Sequence, residues 1–144
     1  MKIRKIARFS VRVYEAVLIL LPQLSSDSTL PAREQFEEIL KSKNTHFFIA
    51  ELDKNEIAGI LTLVRYNIPT GTKVWIEDVV VDESHRGKGI GKALILHAIS
   101  FAESAGAKSV ELTSRPSRIA ANKLYHELGF MLRETNVYRF NFKQ

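Results

Sequence analysis

A strand, a glycine-rich turn and a helix follow one another directly between residues 74 and 105, and this succession restricts the fold more than any other feature. The turn, residues 86–92, has the sequence Arg-Gly-Lys-Gly-Ile-Gly-Lys, and no acidic residue occurs between Glu83 and Glu103. Glycines let backbone N–H groups approach a ligand closely, and a helix N-terminus adds partial positive charge. The segment therefore predicts a phosphate or diphosphate site within a fold that contains both strands and helices.

Three phosphate-binding motifs can be compared with this turn. The P-loop pattern G-x-x-x-x-G-K-[ST] fails, because alanine follows Lys92. The dinucleotide pattern G-x-G-x-x-G is met only in its first two glycines, since the third comes one place early, at Gly91. Glu111 lies near the place of a ribose-binding acid, which keeps this alternative open. The pattern R-x-x-G-x-G is matched in full, beginning at Arg86.

Hydrophobic periodicity predicts the remaining elements. Predicted strands cover residues 2–7, 46–52, 57–66, 74–81, 109–113, 130–132 and 137–142, and predicted helices cover residues 10–22, a short stretch after Pro31, residues 90–105 and residues 117–128, the last capped by Ser117. An antiparallel hairpin thus precedes a βαβ unit. This order predicts a mixed sheet with helices on both faces.

At the R-x-x-G-x-G pattern the chain resembles the GCN5-related N-acetyltransferase (GNAT) family, whose acetyl-CoA diphosphate turn has this form. Residues 120–130, Ala-Ala-Asn-Lys-Leu-Tyr-His-Glu-Leu-Gly-Phe, are similar to the family's late helix with its L-Y-x-x-x-G-F ending. The resemblance covers nearly the whole chain, because the element order also agrees. It implies an α/β (α+β) fold with a mixed, mostly antiparallel sheet of six to seven strands and about four helices. It also implies a single N-acetyltransferase domain over residues 1–144.

The resemblance implies acetyl-CoA as cosubstrate, and no metal. Backbone N–H groups of the turn would bind the diphosphate, and the edge of the preceding strand would pair with the pantetheine amides as an added strand would. The implied donor-binding residues are Val79, Val80, Val81, Arg86, Gly87, Lys88, Gly89, Ile90, Gly91, Lys92, Asn122 and Tyr125.

Two side chains are candidates for proton transfer. The resemblance implies that the Tyr125 hydroxyl protonates the departing thiolate, whereas a half-buried aromatic role is the structural alternative. Glu77 is the candidate base, with a structural ion pair as its alternative. Strand alternation places Glu77 on the same face as Val79 and Val81, and Asp78 on the opposite face.

The late helix departs from the family pattern at one position. Many relatives carry Asn seven residues before the Tyr, and Arg118 occupies that place here. Asn122 lies nearer Tyr125 on the same predicted helix, so it is the candidate for a pantetheine contact. Arg118 either reaches a cofactor phosphate or lies on the surface.

Composition excludes several classes of site and protein. The absence of cysteine excludes disulfides, thiolate nucleophiles and zinc sites built on sulfur. The four histidines show no metal-binding spacing, and the longest apolar run, six residues from Ala16 to Leu21, is far shorter than the about 20 residues of a membrane span. We expect a cytoplasmic protein without a membrane partner, and a homodimer is compatible with the sequence.

The leading functional hypothesis is transfer of an acetyl group from acetyl-CoA to a primary amine of a small molecule, peptide or protein. In the family, the acceptor pocket would involve residues 14–36 and 133–138. A non-catalytic acyl-CoA-binding or sensing module is the alternative. Nucleic-acid binding, suggested by the net charge of +5, ranks last because no pattern of stacking aromatics and basic residues accompanies that charge.

Overall fold

A four-stranded antiparallel sheet in the order β1-β2-β3-β4 is the centre of the computed structural model, which describes residues 1–143. The elements in chain order are β1 (Lys2–Ile6), α1 (Val11–Leu24), α2 (Arg33–Lys41), β2 (Thr45–Glu51), β3 (Ile57–Ile68), β4 (Gly71–Val81), α3 (Ile90–Ser104) and α4 (Ile119–Glu127). Short 3₁₀ turns occur at Asp53–Asn55 and Glu83–His85. The chain divides into two compact units, Met1–Thr113 and residues 114 onward.

Helices cover both faces of the sheet in the first unit, as predicted. On one face, α1 and α2 enclose a cluster formed by Val13, Val17, Leu20, Phe36, Leu40, Phe47, Ile49, Ile60 and Val80. On the other face, α3 buries Leu94, Ile95 and Ala98 completely. The Phe101 ring of α3 lies 5.4 Å from the Phe48 ring of β2. The sheet is therefore held between two apolar layers, and the end of β4 is fixed in position by both.

A β-bulge interrupts the pairing of β3 with β4. Ile60 pairs with Val80 and Thr62 pairs with Glu77, so Leu61 is opposed by two residues of β4, Asp78 and Val79. Asp78 has a φ of 48°, in the left-handed region that aspartate tolerates better than most residues. A bulge exchanges the two faces of a strand beyond it.

The prediction of six to seven strands is wrong for the described residues, which form four. Of the predicted strand at residues 109–113, only Glu111 forms a bridge, parallel to Trp75. Its carbonyl accepts from the N–H of Ile76 at 2.8 Å, and its N–H donates to the carbonyl of Val74 at 3.0 Å. Residues 130–132 and 137–142 belong to no strand of the described chain.

The helices differ from their predicted bounds mainly at their ends. Ser10 caps α1 by accepting from the Val13 N–H, and the helix continues past Pro22 to Leu24 rather than ending at residue 22. Among residues 1–143, the helices are too short or too polar to traverse a bilayer.

The second unit contains α4, which begins one residue later than predicted. Arg118, and not Ser117, is the N-cap residue, and it makes no side-chain capping bond. The helix is followed by Gly129 at a φ of 93°, which fits the expected glycine stop.

Candidate functional site

The predicted glycine turn joins β4 to α3 with two residues in left-handed conformation. Gly87 has a φ of 77° and Gly89, the N-cap of α3, a φ of 79°. Open space surrounds both, because a Cβ at either position would meet no atom within 4 Å. Glycine is therefore required by the backbone conformation, and the space in front of the turn is available to a ligand.

The start of α3 supplies unpaired backbone donors. The N–H of Ala93 donates to the Gly89 carbonyl at 3.0 Å, and this is the first bond of the helical series. The N–H groups of the first turn, Ile90, Gly91 and Lys92, precede that bond, and the start of a helix leaves such groups without helical partners. No acidic residue lies in this first turn. The helix start can thus bind an anion through its N–H groups and its dipole.

Three cationic side chains surround the turn. Arg86, Lys88 and Lys92 are all exposed. The Arg86 Nε donates to the carbonyl of Val81 at 3.3 Å, which holds this side chain beside the end of β4. Two or more positive charges next to free N–H groups match the charge of a diphosphate.

His85 links the turn to the loop before β3. Its Nε2 lies 2.7 Å from Oε1 of Glu56, and its Nδ1 lies 3.3 Å from the Nζ of Lys88. The neutral tautomer with its proton on Nε2 satisfies both contacts, because Nδ1 then accepts from the ammonium group. Lys88 also donates to the Ser84 carbonyl at 3.4 Å. The side chain of Lys88 is thus held by its neighbours.

The side chain of Gln23, in the last turn of α1, contacts the residues that precede the turn. Its Nε2 donates to Oδ2 of Asp82 at 3.2 Å, and its Oε1 accepts from the N–H of Glu83 at 2.8 Å. The other Asp82 oxygen accepts from the hydroxyl and the N–H of Ser84. The bonds from Ser84, followed by that from Gln23, lower the pKa of Asp82. Sequence reasoning missed Gln23 because the predicted helix ends at residue 22, and no motif marks Gln23.

The outer edge of β4 is open where the resemblance places the pantetheine. Glu111 bridges this edge only at Val74–Ile76. Beyond the bulge, Val80 and Val81 pair with β3 on one side, and β4 is the last strand of the sheet in the described chain. An open edge beside a free helix start is a geometry to which an extended amide chain with a diphosphate can bind.

Glu77 does not lie on the predicted face. It pairs with Thr62, which pairs with Phe47 of the cluster under α1 and α2. Val81 pairs with Gly59, whose Cβ position is 3.1 Å from Leu94 of α3. Glu77 is therefore on the face opposite Val79 and Val81, because the bulge exchanges the faces between them. Partial burial, followed by the charge of Asp78, raises the pKa of Glu77.

Tyr125 lies in the second unit, in the last turns of α4. Its ring packs edge to face on Phe130, with centroids 5.8 Å apart. The Phe130 N–H donates to the Tyr125 carbonyl at 3.0 Å, which fixes the Gly-Phe ending against the helix. Burial raises the pKa of Tyr125, although the charge of Arg118 acts in the opposite direction. The hydroxyl is thus kept protonated, as a general acid must be.

Asn122 uses its amide hydrogens within the second unit. Its Nδ2 donates to the carbonyls of Arg115 and Arg118, at 2.9 and 2.8 Å. These bonds support the irregular start of α4, which no side chain caps. A contact between Asn122 and a pantetheine group would therefore have to use the Oδ1 atom.

Two surface depressions lie away from the turn. One, of about 530 Å³, is lined by Leu30, Gln35, Glu38 and Thr45, and the other, of about 330 Å³, includes Phe9. Thr45 lies opposite Val64, five residues along β3 from the partner of Val81, which is about 17 Å at the spacing of a strand. The larger depression is thus at the other end of the sheet from the turn.

Within residues 1–143, no group of three His, Asp or Glu side chains could hold a metal ion.

Comparison with known proteins identifies the family of this chain. Residues 12–130 match the acetyltransferase (GNAT) family. An uncharacterized N-acetyltransferase of Methanocaldococcus jannaschii is 31% identical over an alignment covering 72% of this chain and 46% of the relative. A glucosamine 6-phosphate N-acetyltransferase of Trypanosoma brucei brucei is 36% identical, with 57% and 67% covered. The chain spans about half the length of several such curated relatives.

Solved structures share the fold over nearly the whole chain. An aminoglycoside acetyltransferase from an uncultured soil metagenomic sample, crystallised with trehalose, has a TM-score of 0.86 and 22% identity, covering 99% of this chain and 96% of its own. A Trypanosoma brucei acetyltransferase has a TM-score of 0.78 and 26% identity, covering 98% and 99%. The first of these shows likeness of fold alone.

Proposed function

This chain belongs to the GNAT family of acetyltransferases, and from that premise we propose that it transfers an acetyl group from acetyl-CoA to a primary amine. The observation that supports the proposal most is the turn of residues 86–92, where two left-handed glycines, a free helix start and three exposed cations lie together. We further propose that the two compact units act as one N-acetyltransferase domain over residues 1–144.

The donor would bind along β4 and the start of α3. The diphosphate would accept hydrogen bonds from the N–H groups of residues 87–92, with Arg86, Lys88 and Lys92 balancing its charge. The pantetheine amides would pair with the open edge at Val79, Val80 and Val81. An N–H group of this edge would also polarise the thioester carbonyl as the oxyanion develops.

The reaction itself needs two proton transfers. The neutral amine nitrogen attacks the thioester carbon, and the C–S bond breaks as the new C–N bond forms. Glu77, with its raised pKa, would take a proton from the amine directly or through water. Tyr125, kept protonated by burial, would give a proton to the leaving thiolate.

The alternative function is an acyl-CoA-binding or sensing module that does not catalyse acetyl transfer. An end-point assay separates the two possibilities. Acetyl-CoA is mixed with a panel of amines, including glucosamine 6-phosphate, sisomicin and a lysine peptide, and released thiol is measured. Because the chain has no cysteine, a thiol reagent reports only the CoA product.

The result expected from an enzyme is thiol release that requires both the protein and one class of amine. Calorimetric binding of acetyl-CoA on the same preparation, without release for any amine in a broad panel, would favour the sensing module. Absence of both binding and release would reject the two functions together.

A further inference from the structure

Three polar side chains, those of Glu56, His85 and Lys88, form a line beside the glycine turn. Oε1 of Glu56 lies 2.7 Å from Nε2 of His85, and the other ring nitrogen of His85, Nδ1, lies 3.3 Å from Nζ of Lys88. The His85 side chain is only 16% exposed, whereas Lys88 is exposed. The imidazole is thus held between a carboxylate and an amine that a molecule in solution can reach.

The order of these groups, a carboxylate, an imidazole and a terminal nucleophile, is the order that activates nucleophiles in enzymes. With its proton on Nε2, His85 donates to Glu56, and the lone pair of Nδ1 is directed at Lys88. Nδ1 can therefore take a proton from the Lys88 nitrogen while that nitrogen forms a new bond. Glu56 holds the ring in the orientation that this transfer needs.

A second contact orients the amine of Lys88. Its Nζ donates to the carbonyl of Ser84 at 3.4 Å. A neutral lysine amine has two hydrogens and one lone pair. The Ser84 carbonyl and Nδ1 of His85 accept the two hydrogens, so the lone pair is directed away from both and is available to an electrophile.

We propose that Lys88 is a self-acetylation site, which an acyl thioester modifies without a second enzyme and with His85 as the base. Nζ attacks the carbonyl carbon of the thioester, the N–C bond forms, and the C–S bond breaks with its electron pair going to sulfur. Nδ1 of His85 accepts the proton from Nζ and passes it to the thiolate. The products are acetylated Lys88 and a free thiol, so the step needs no other reactant.

Acetylation removes the positive charge of a lysine. The consequence for Lys88 rests on the proposed function, in which this residue balances the charge of the donor diphosphate together with Arg86 and Lys92. The acetylated chain would bind CoA more weakly than the unmodified chain. An excess of donor would thereby reduce the activity of the protein.

A thioester that lacks a diphosphate, S-acetyl-N-acetylcysteamine, tests the reactivity of Lys88 apart from donor binding. The whole chain is incubated with it, and the acetylation of each lysine is followed over time by peptide mass spectrometry. Lys88 should react at least about 10-fold faster than Lys92, because a positioned base accelerates such steps. Lys92 is the matched internal control, since it is an exposed residue of the same turn and makes no such histidine contact among residues 1–143.

Two variants separate the base from the residue that orients it. His85→Asn keeps an oxygen that can accept from Lys88 but removes the base, so the rate at Lys88 should fall to that at Lys92. Glu56→Gln should lower the rate at Lys88 less, because the base remains and only its orientation is weakened. Circular dichroism checks that both variants are folded. Equal rates at Lys88 and Lys92 in wild type, or a Lys88 rate that His85→Asn leaves unchanged, would overturn the proposal.

Calorimetric titration of CoA before and after acetylation tests the consequence separately. Acetylation should weaken CoA binding by about 5-fold, since a bond to a charged group is lost. Lys88→Arg, treated in the same way, is the control for the other lysines and should keep its affinity. Equal affinities before and after acetylation of wild type would contradict the regulatory consequence. Absence of CoA binding by the unmodified chain would reject the proposed function, whereas the peptide rates alone decide whether Lys88 is reactive.

Discussion

Gln23 donates a hydrogen bond from its side-chain amide to the Asp82 carboxylate at 3.2 Å, across 59 positions of the chain. The same amide accepts from the N–H of Glu83. The last turn of α1 is thereby joined to the residues that lead into the glycine turn. If the proposed function holds, residues 14–36 would contribute to the acceptor pocket and the glycine turn would hold the donor. Gln23 would then connect the two substrate-binding regions.

Gln23→Ala should weaken acetyl-CoA binding by about 2- to 10-fold. The substitution removes two hydrogen bonds that position the turn, each of which contributes about 0.5–1.5 kcal/mol, and only part of that free energy affects donor binding. Calorimetry measures the affinity. Gln35→Ala is the control, since Gln35 caps α2 by accepting from the Ala32 N–H. It should reduce stability without changing donor affinity. Equal donor affinities for wild type, Gln23→Ala and Gln35→Ala would show that Gln23 does not position the turn for donor binding.

The sequence predicted the parts of the fold that local chemistry determines. The β2–β3 hairpin, α3 and the glycine turn agree with periodicity and glycine placement. The face predicted for Glu77 was wrong. Alternation assumes an unbroken strand, whereas the bulge at Asp78 arises from the pairing of β4 with β3. Gln23 was missed for a similar reason, since its partners are distant in sequence.

The predicted strands at residues 130–132 and 137–142 show a second limit of sequence reasoning. The alternation of Tyr138 and Phe140 with polar residues indicates a strand with one apolar face. A strand also needs a partner edge, and the sequence of one segment does not supply it.

Tyr125→Phe should lower kcat by at least about 10-fold and change the acetyl-CoA affinity little, since a general acid contributes to the transition state. The packing of the ring on Phe130 would be retained. Tyr66→Phe, which removes the hydroxyl that accepts from Trp75, is the matched control and should keep the wild-type rate. A wild-type kcat for Tyr125→Phe would assign Tyr125 to packing alone.

Glu77 should determine the acid side of the pH–rate profile. A base must be ionised, so activity should fall as the pH drops through its raised pKa. Glu77→Gln should lower kcat/KM about 10- to 100-fold and remove that limb of the profile.

Burial is the larger cause of this pKa shift, and Asp78→Asn tests the second cause, the neighbouring charge. Removing the neighbouring negative charge eases the ionisation of Glu77, so the acid limb should move to lower pH. Asparagine tolerates the left-handed φ of position 78, so the bulge should persist. An acid limb that is unchanged in both variants would exclude Glu77 as the base.

Glu51 should support stability against acid. Its carboxylate accepts from Arg12 at 2.7 Å and Arg4 at 3.1 Å, and these bonds lower its pKa below the ordinary 4.5. A group whose pKa is lower in the folded state stabilises the protein above its unfolded pKa. That contribution is therefore complete above pH 4.5 and is lost as the pH falls through the lower folded value.

Denaturant unfolding of wild type and Glu51→Gln at several pH values measures this contribution. The stability difference should be largest near neutral pH and should shrink in acid. Glu37→Gln, which removes an exposed pair with Arg33, is the control and should cost little at any pH. A Glu51→Gln difference that does not depend on pH would contradict the argument.

The glycine turn is the proposed diphosphate site, and two glycines that flank α3 allow matched changes to test it. Gly89 precedes the helix at a φ of 79°, and Gly106 follows it at a φ of 82°. Neither has an atom within 4 Å of its Cβ position, so glutamate should strain both backbones alike. Only at position 89 would the new carboxylate meet the donor phosphates.

The decisive measurement is a calorimetric titration of CoA into wild type, Gly89→Glu and Gly106→Glu at equal folded concentrations. The account predicts binding to wild type and Gly106→Glu, with no detectable binding to Gly89→Glu. Wild-type affinity in Gly89→Glu would show that the diphosphate binds elsewhere.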